Sequence, residues 1–117
     1  MANSNNLTQL ANKMLSDYDA RTPGNLFAEG MRLSLTEAYG VQRQVAKLRE
    51  LRGEHLLGYK IGCVCQGNQD KNGLTHPVYG RLWSTEQHVT NVTLPIDAFA
   101  NLAIEGEIAI SLRYDIE

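Results

Sequence analysis

No run of apolar residues in this 117-residue chain approaches the length of a membrane span. The N-terminus is polar through Asn3, Ser4, Asn5 and Asn6, which argues against a signal peptide and predicts a cytoplasmic protein. Cysteine is scarce. Cys63 and Cys65 are too close for an ordinary structural disulfide and too few for a zinc site, so reduced thiols are expected. Basic charge is not in excess: the formal net charge is −2, and Lys and Arg are scattered, which excludes the footprint of a nucleic-acid binder. They are densest between Lys47 and Arg52, where they alternate with Glu50 as on a solvated helix face. There is no internal repeat, no low-complexity tract, and no Gly-x-Gly-x-x-Gly or Walker pattern. His55, His76 and His88 show neither i,i+4 spacing nor clustering and read as surface or strand-end residues, with His76 beside Pro77 placed to line a pocket mouth.

What is there is a helical stretch to about Arg52 and a mostly extended remainder. Leu7, Leu10, Ala11, Met14, Leu15 and Tyr18 recur at helical spacing, and Asn6 with Gln9 gives that helix a start. Arg21 to Leu33 is expected to be a loop, punctuated by Pro23-Gly24 and Gly30. Ser34-Leu-Thr-Glu37 reads as a capping box opening a second helix that runs to about Arg52 and stops at Gly53. Its expected buried face is Leu35, Ala38, Tyr39, Gln42, Val45 and Leu48. Leu56 to Gly62 is short, apolar and bounded by glycine, hence a strand; Gln66 to Leu74 is polar and reads as a loop with at most one helical turn. Pro77–Trp83 and His88–Leu94 are expected as further extended pieces. Helices followed by strands predict an α+β fold, with the helices packed on a small sheet.

The most informative stretch is Ala103 to Leu112, where apolar and polar residues alternate as in a half-buried strand. Residues two apart on a strand share a face, so Glu105 and Glu107 project together, while Ile104, Gly106, Ile108, Ile110 and Leu112 read as core. Two carboxylates about 7 Å apart repel unless something positive sits between them. A hard divalent cation, Mg²⁺ or Mn²⁺, suits carboxylate oxygens; the alternative is a solvated acidic edge.

Four pieces in order carry a resemblance: Leu35-Thr-Glu-Ala-Tyr-Gly-Val-Gln42, Gly58-Tyr-Lys-Ile-Gly62, Pro77-Val-Tyr-Gly-Arg-Leu82 and Ile104-Glu-Gly-Glu-Ile-Ala109. Together they resemble the 2-keto-4-pentenoate hydratase branch of the fumarylacetoacetate hydrolase superfamily. The resemblance implies a metal-dependent lyase acting on a 2-oxo acid or its dienol, a hydratase first and a decarboxylase as alternative, in the manner of aromatic catabolism. It implies that Glu105 and Glu107 are metal ligands and that Lys60 is the active-site lysine. The residue types agree with that chemistry: a Lewis acid and a lysine both stabilise charge that gathers on a 2-oxo oxygen. The other reading of Lys60 is a side chain that snorkels from a strand edge to solvent.

The resemblance also implies a third carboxylate further along and an Asp where Val78 stands. After Gly62, Cys63-Val64-Cys65 replaces a small polar residue; Cys65 is read as an inert buried thiol rather than a weak donor. The expectation is therefore an N-terminal portion, inactive alone. Residues 1–83 would form a helix-and-sheet part and residues 84–117 the first strands of an incomplete mixed β-roll. A homo-oligomer with a small-molecule substrate, without nucleic acid or membrane partners, is expected. A non-catalytic assembly module is the alternative from another class.

Overall fold

The computed structural model describes residues 4–114. Helix α1 (Ser4–Asp19) lies against helix α2 (Leu35–Leu51). Leu10, Ala11 and Val41 are buried between them, and Leu7, Leu26, Met31, Leu33, Val45 and Leu48 pack around that cluster. Burying a side chain the size of Leu10 or Val41 contributes about 1.5–3 kcal/mol. The helices approach closely at Gly40, where an added Cβ would stand 3.1 Å from Leu7 Cδ1. The expected loop supplies three of the packed residues, Leu26, Met31 and Leu33, the first two joined by a turn closed by the Met31 N–H on the Leu26 carbonyl at 3.0 Å.

The capping box is present as expected. The Glu37 N–H donates to Ser34 Oγ at 3.3 Å, and the Ser34 N–H donates to Glu37 Oε2 at 2.9 Å. Such a cap is worth about 1 kcal/mol. The buried face of α2 differs from the expected one. Gly40, Val41, Ala46 and Arg49 are the buried positions, Ala38 is exposed, and the other expected residues are half-buried. The reason is that α2 is covered on two sides, by α1 and by a sheet, so no single helical stripe describes it.

That sheet has two antiparallel strands, β1 (Leu56–Gly62) and β2 (Val78–Trp83). Tyr59 faces Arg81, Lys60 faces Gly80 and Ile61 faces Tyr79, with a bulge at the Leu56–Gly58 step. Tyr79 stacks on Tyr39 of α2 at 4.7 Å between ring centroids, with Tyr59 edge-on at 5.7 Å. Gln42 Nε2 donates to the Tyr79 carbonyl at 3.0 Å, and Arg81 donates to Gln42 Oε1. These contacts clamp α2 onto β2 rather than β1.

The tightest junction follows from how α2 ends. Gly53 has a φ of +91°, a region costly for residues with a Cβ, and this lets the chain close a double turn. The Gly53 N–H donates to the Glu50 carbonyl at 2.9 Å and the Glu54 N–H to the Arg49 carbonyl at 3.1 Å. The turn carries Glu54 back beside Arg49, whose Nε and Nη2 donate to Glu54 Oε2 at 2.9 and 2.6 Å. The Arg49 guanidinium also lies over the rings of Tyr18 and Trp83, 5.0 and 4.8 Å from their centroids, and donates to Glu86 Oε1 at 2.8 Å. Thr85 Oγ1 donates to Glu54 Oε2 at 2.6 Å, and Arg52 bonds both Glu54 and Asp19. Arg49 and Glu54 are only 6% exposed each, yet every buried polar side-chain atom among the described residues has a partner.

Three expected elements are corrected. Residues 66–72 are a short helix, α3 (Gln66–Asn72), closed by Gly73 at φ +64°. Its composition is poor for a helix, but Gln69 is buried and donates to the Cys63 carbonyl at 2.9 Å, so tertiary anchoring overrides propensity. The stretch 103–112, expected as a strand, joins no ladder: among the described residues the sheet contains β1 and β2 alone, and His88–Leu94 is likewise irregular. Alternation specifies which side chains share a face, but a strand also needs a neighbour, and none of the described segments lies beside this one as a ladder partner. Ile104, Ile108, Ile110 and Leu112, expected in a core, are 89, 93, 82 and 62% exposed.

The Glu54 carboxylate gives a stability prediction. Burial alone would raise its pKa, but hydrogen bonds from Arg49, Thr85 and Arg52 hold it down to about 2, against an ordinary 4.5. A depressed pKa stabilises the fold above the unfolded value and the stabilisation is lost as pH falls through the folded one. Stability should therefore drop by about 3 kcal/mol between pH 4.5 and 2 from this group. Urea titrations at stepped pH should show that decline in the parent chain and a flatter profile in Glu54→Gln, which should also be less stable at pH 7.

Candidate active site

Lys60 stands mid-strand on β1, and its neighbours Tyr59 and Ile61 point to the other face. Its own face is poor in side chains close to it, Val78 and Leu82 lying at the two ends. Gly58 and Gly62 flank it along the strand, and Gly80 faces it across the ladder. A Cβ at Gly58 or Gly80 would meet nothing within 4 Å, and one at Gly62 only Val78 Cγ2 at 3.9 Å. A strip of sheet without side chains lets a second segment approach the lysine.

The segment that approaches is the one carrying the two carboxylates. Lys60 Nζ donates to Glu105 Oε2 at 2.6 Å and to Glu107 Oε1 at 2.5 Å. The structure thus brings together all three site residues singled out in the sequence. It also bears out the shared face of Glu105 and Glu107, even without a ladder. Hydrogen bonds from Lys60 lower the Glu105 pKa below the usual carboxylate value. The same bonds, to Glu105 first and then Glu107, raise the Lys60 pKa above that of a free amine. All three side chains are open to water, at 41, 66 and 56% exposure, so salt screens these pairs.

Two carboxylates converging on one cationic centre supply two negative charges and hard oxygen donors, which fits part of a divalent cation's shell. Among the described residues no group of three or more His, Cys, Asp or Glu gathers to hold a metal. Cys63 and Cys65 are free thiols, as expected, but Cys65 is exposed rather than buried, because it occupies the cap position of α3. His55, His76 and His88 are exposed and outside the cluster. Along the same strand, but not lined by Lys60, Glu105 or Glu107, Leu57, Ile61 and Leu82 form an open apolar cleft of about 1000 Å³ together with Ile110 and Leu112.

No family model matches the chain. In sequence it is 28% identical over 100 residues to a 2-hydroxyhexa-2,4-dienoate hydratase of Comamonas testosteroni, covering 84% of this chain and 38% of that protein. It is 31% identical over 80 residues to a 2-oxo-hept-4-ene-1,7-dioate hydratase of Escherichia coli, covering 68% of this chain and 30% of that one. The chain is a relative of these hydratases. The fold agrees: a 4-oxalocrotonate decarboxylase from Pseudomonas putida G7, solved with magnesium and adipate and again with calcium and acetate, superposes at a TM-score of 0.65. That match has 21% identity and covers 73% of this chain and 33% of the decarboxylase. These relatives bear out the resemblance to the hydratase and decarboxylase branch of the fumarylacetoacetate hydrolase superfamily. The chain spans only about a third of the length of the relatives it matches.

Sequence reasoning missed the Arg49–Glu54 cluster that holds the sheet under the site. A signal existed in Gly53, whose double turn places a residue just past the helix beside one three from its end.

Carboxyl-resolved NMR titration of the chain without divalent cations should find Glu105 titrating below the ordinary carboxylate value. Lys60→Met should return it towards that value; a Glu105 that does not move would show that the ion pair is not formed in solution.

Proposed function

We propose that this chain contributes Lys60, Glu105 and Glu107 to the site of a metal-dependent lyase acting on a 2-oxo acid or its dienol, with hydration as the reaction. The observation that carries this reading is the convergence of the three side chains, 2.5 and 2.6 Å apart, in a relative of hydratases. Glu105 and Glu107 would hold Mg²⁺ or Mn²⁺, which supplies Lewis acidity towards a 2-oxo oxygen. Lys60 stands within hydrogen-bond reach of the same carboxylates, and its ammonium would face the oxygen on which charge gathers, or hand it a proton. The bare glycine strip beside Lys60 leaves room for a small substrate, and the apolar cleft beyond it suits a carbon chain. The proposal includes a third ligand outside the described residues, so the chain by itself would not turn over.

Decarboxylation is the second reading, favoured by Val78 standing where the resemblance to the hydratases implies an Asp and by the fold match to a decarboxylase. The exposed isoleucines at 104, 108 and 110 favour assembly with further chains, and a homo-oligomer is proposed.

The test is turnover of 2-hydroxyhexa-2,4-dienoate by a protein extending this chain to the relatives' length, followed by loss of dienol absorbance. Activity should require Mg²⁺ or Mn²⁺ and vanish in Glu105→Gln/Glu107→Gln. Lys60→Ala should lower kcat by about a hundredfold or more with a smaller change in KM, because its charge meets the transition state. Release of carbon dioxide from 4-oxalocrotonate, whose second carboxylate is conjugated with the 2-oxo group so that the metal-held oxygen can accept the electron pair, would select the decarboxylase reading. Full activity after exhaustive chelation would overturn the metal assignment.

A further inference from the structure

Lys60 is the cation that Glu105 and Glu107 already hold, which bears on how any other cation reaches them. Among the described residues it is the only basic group paired with either carboxylate. The segment that carries them makes no ladder with β1, so these two ion pairs are its polar attachment to the sheet. The glycine strip explains the access. With Gly58, Gly62 and Gly80 around it, the lysine is unhindered, and its 41% exposed side chain has open space in which to swing aside.

We infer that Lys60 is a resident counter-cation that occupies the position between Glu105 and Glu107, and that a divalent cation binds there by displacing its ammonium. This rests on the proposed metal role of the two carboxylates and adds a competition that sets their affinity. The charges favour exchange in one direction. One ammonium leaves the carboxylate pair with a net charge of −1, whereas a divalent cation neutralises it. The displaced ammonium remains anchored to β1 next to the ion. It is then free of its carboxylate partners and able to meet a substrate oxygen. Lys60 thus holds the carboxylate segment on the sheet before the ion arrives and is released by its arrival.

The experiment is Mn²⁺ binding to the 117-residue chain, read from the free-ion electron paramagnetic resonance signal at fixed ionic strength, with circular dichroism confirming helix content in each variant. Removing a unit positive charge a few ångströms from a divalent ion should tighten binding by about tenfold even in a water-like dielectric. Lys60→Met, and Lys60→Gln as a second variant of different polarity, should both show that gain. Glu105→Gln/Glu107→Gln added to Lys60→Met should abolish it. Affinity in Lys60→Met and Lys60→Gln that equals or falls below the parent's would overturn the counter-cation while leaving the metal reading standing. Absence of binding in the parent and both lysine variants would overturn the inference, the metal reading itself being decided by chelation of the extended protein. A gain that survives loss of the carboxylates would place the ion elsewhere and overturn the inference as well.

Discussion

The described structure depends on a guanidinium kept out of water. Arg49 is held between two aromatic rings, with a carboxylate on either side, and its partners come from four places: the end of α1, the turn after α2, the end of β2 and the 3₁₀ turn that follows it. A buried charge that loses its partner costs about 3–5 kcal/mol, so each of these elements is fixed by the same requirement. Ser84 and His55 exchange hydrogen bonds beside the cluster and bring the start of β1 to the end of β2. The two-stranded sheet, marginal by itself in water, gains its rigidity from this junction and from the Tyr39–Tyr79 stack. Lys60 is positioned four residues beyond Leu56, where β1 begins.

Two clusters of ionised groups therefore act in opposite ways. The Arg49 cluster is dry, and its geometry is fixed by packing as much as by charge. The Lys60 cluster has similar donor–acceptor distances but lies open to water, where an ion pair is worth about 0–1 kcal/mol. The first supports a fold; the second can exchange partners. The proposed uptake of a cation and a charged substrate would benefit from the weaker arrangement, because little is lost when its internal pairs separate.

Local signals were the legible ones. The capping box at Ser34, the stop at Gly53, strand Leu56–Gly62 and the extended character of Pro77–Trp83 all rest on neighbours in sequence, and the structure carries them. The common face of Glu105 and Glu107 was legible for the same reason, since it needs only a two-residue period. What was not legible depends on partners distant in the chain. α3 forms because Gln69 finds a buried acceptor, the α2 face is divided because two layers cover it, and 103–112 lacks a ladder because no described strand lies alongside. Lys60 was singled out from its motif, but its partner is a pair of carboxylates 45 and 47 residues away, a distance over which pattern alone is silent.

The double turn at Gly53 has a consequence for the order in which the molecule assembles. It makes the Arg49–Glu54 pair a contact of only five residues' separation, whereas Thr85 and Glu86 join Arg49 across 36 and 37. Loop closure disfavours the distant contacts until something rewards them, and a preformed, partly neutralised guanidinium does so. The hairpin of helices with its terminal turn is thus expected to form before the sheet, and β2 to find its register by docking Trp83 on a charge already paired with Glu54.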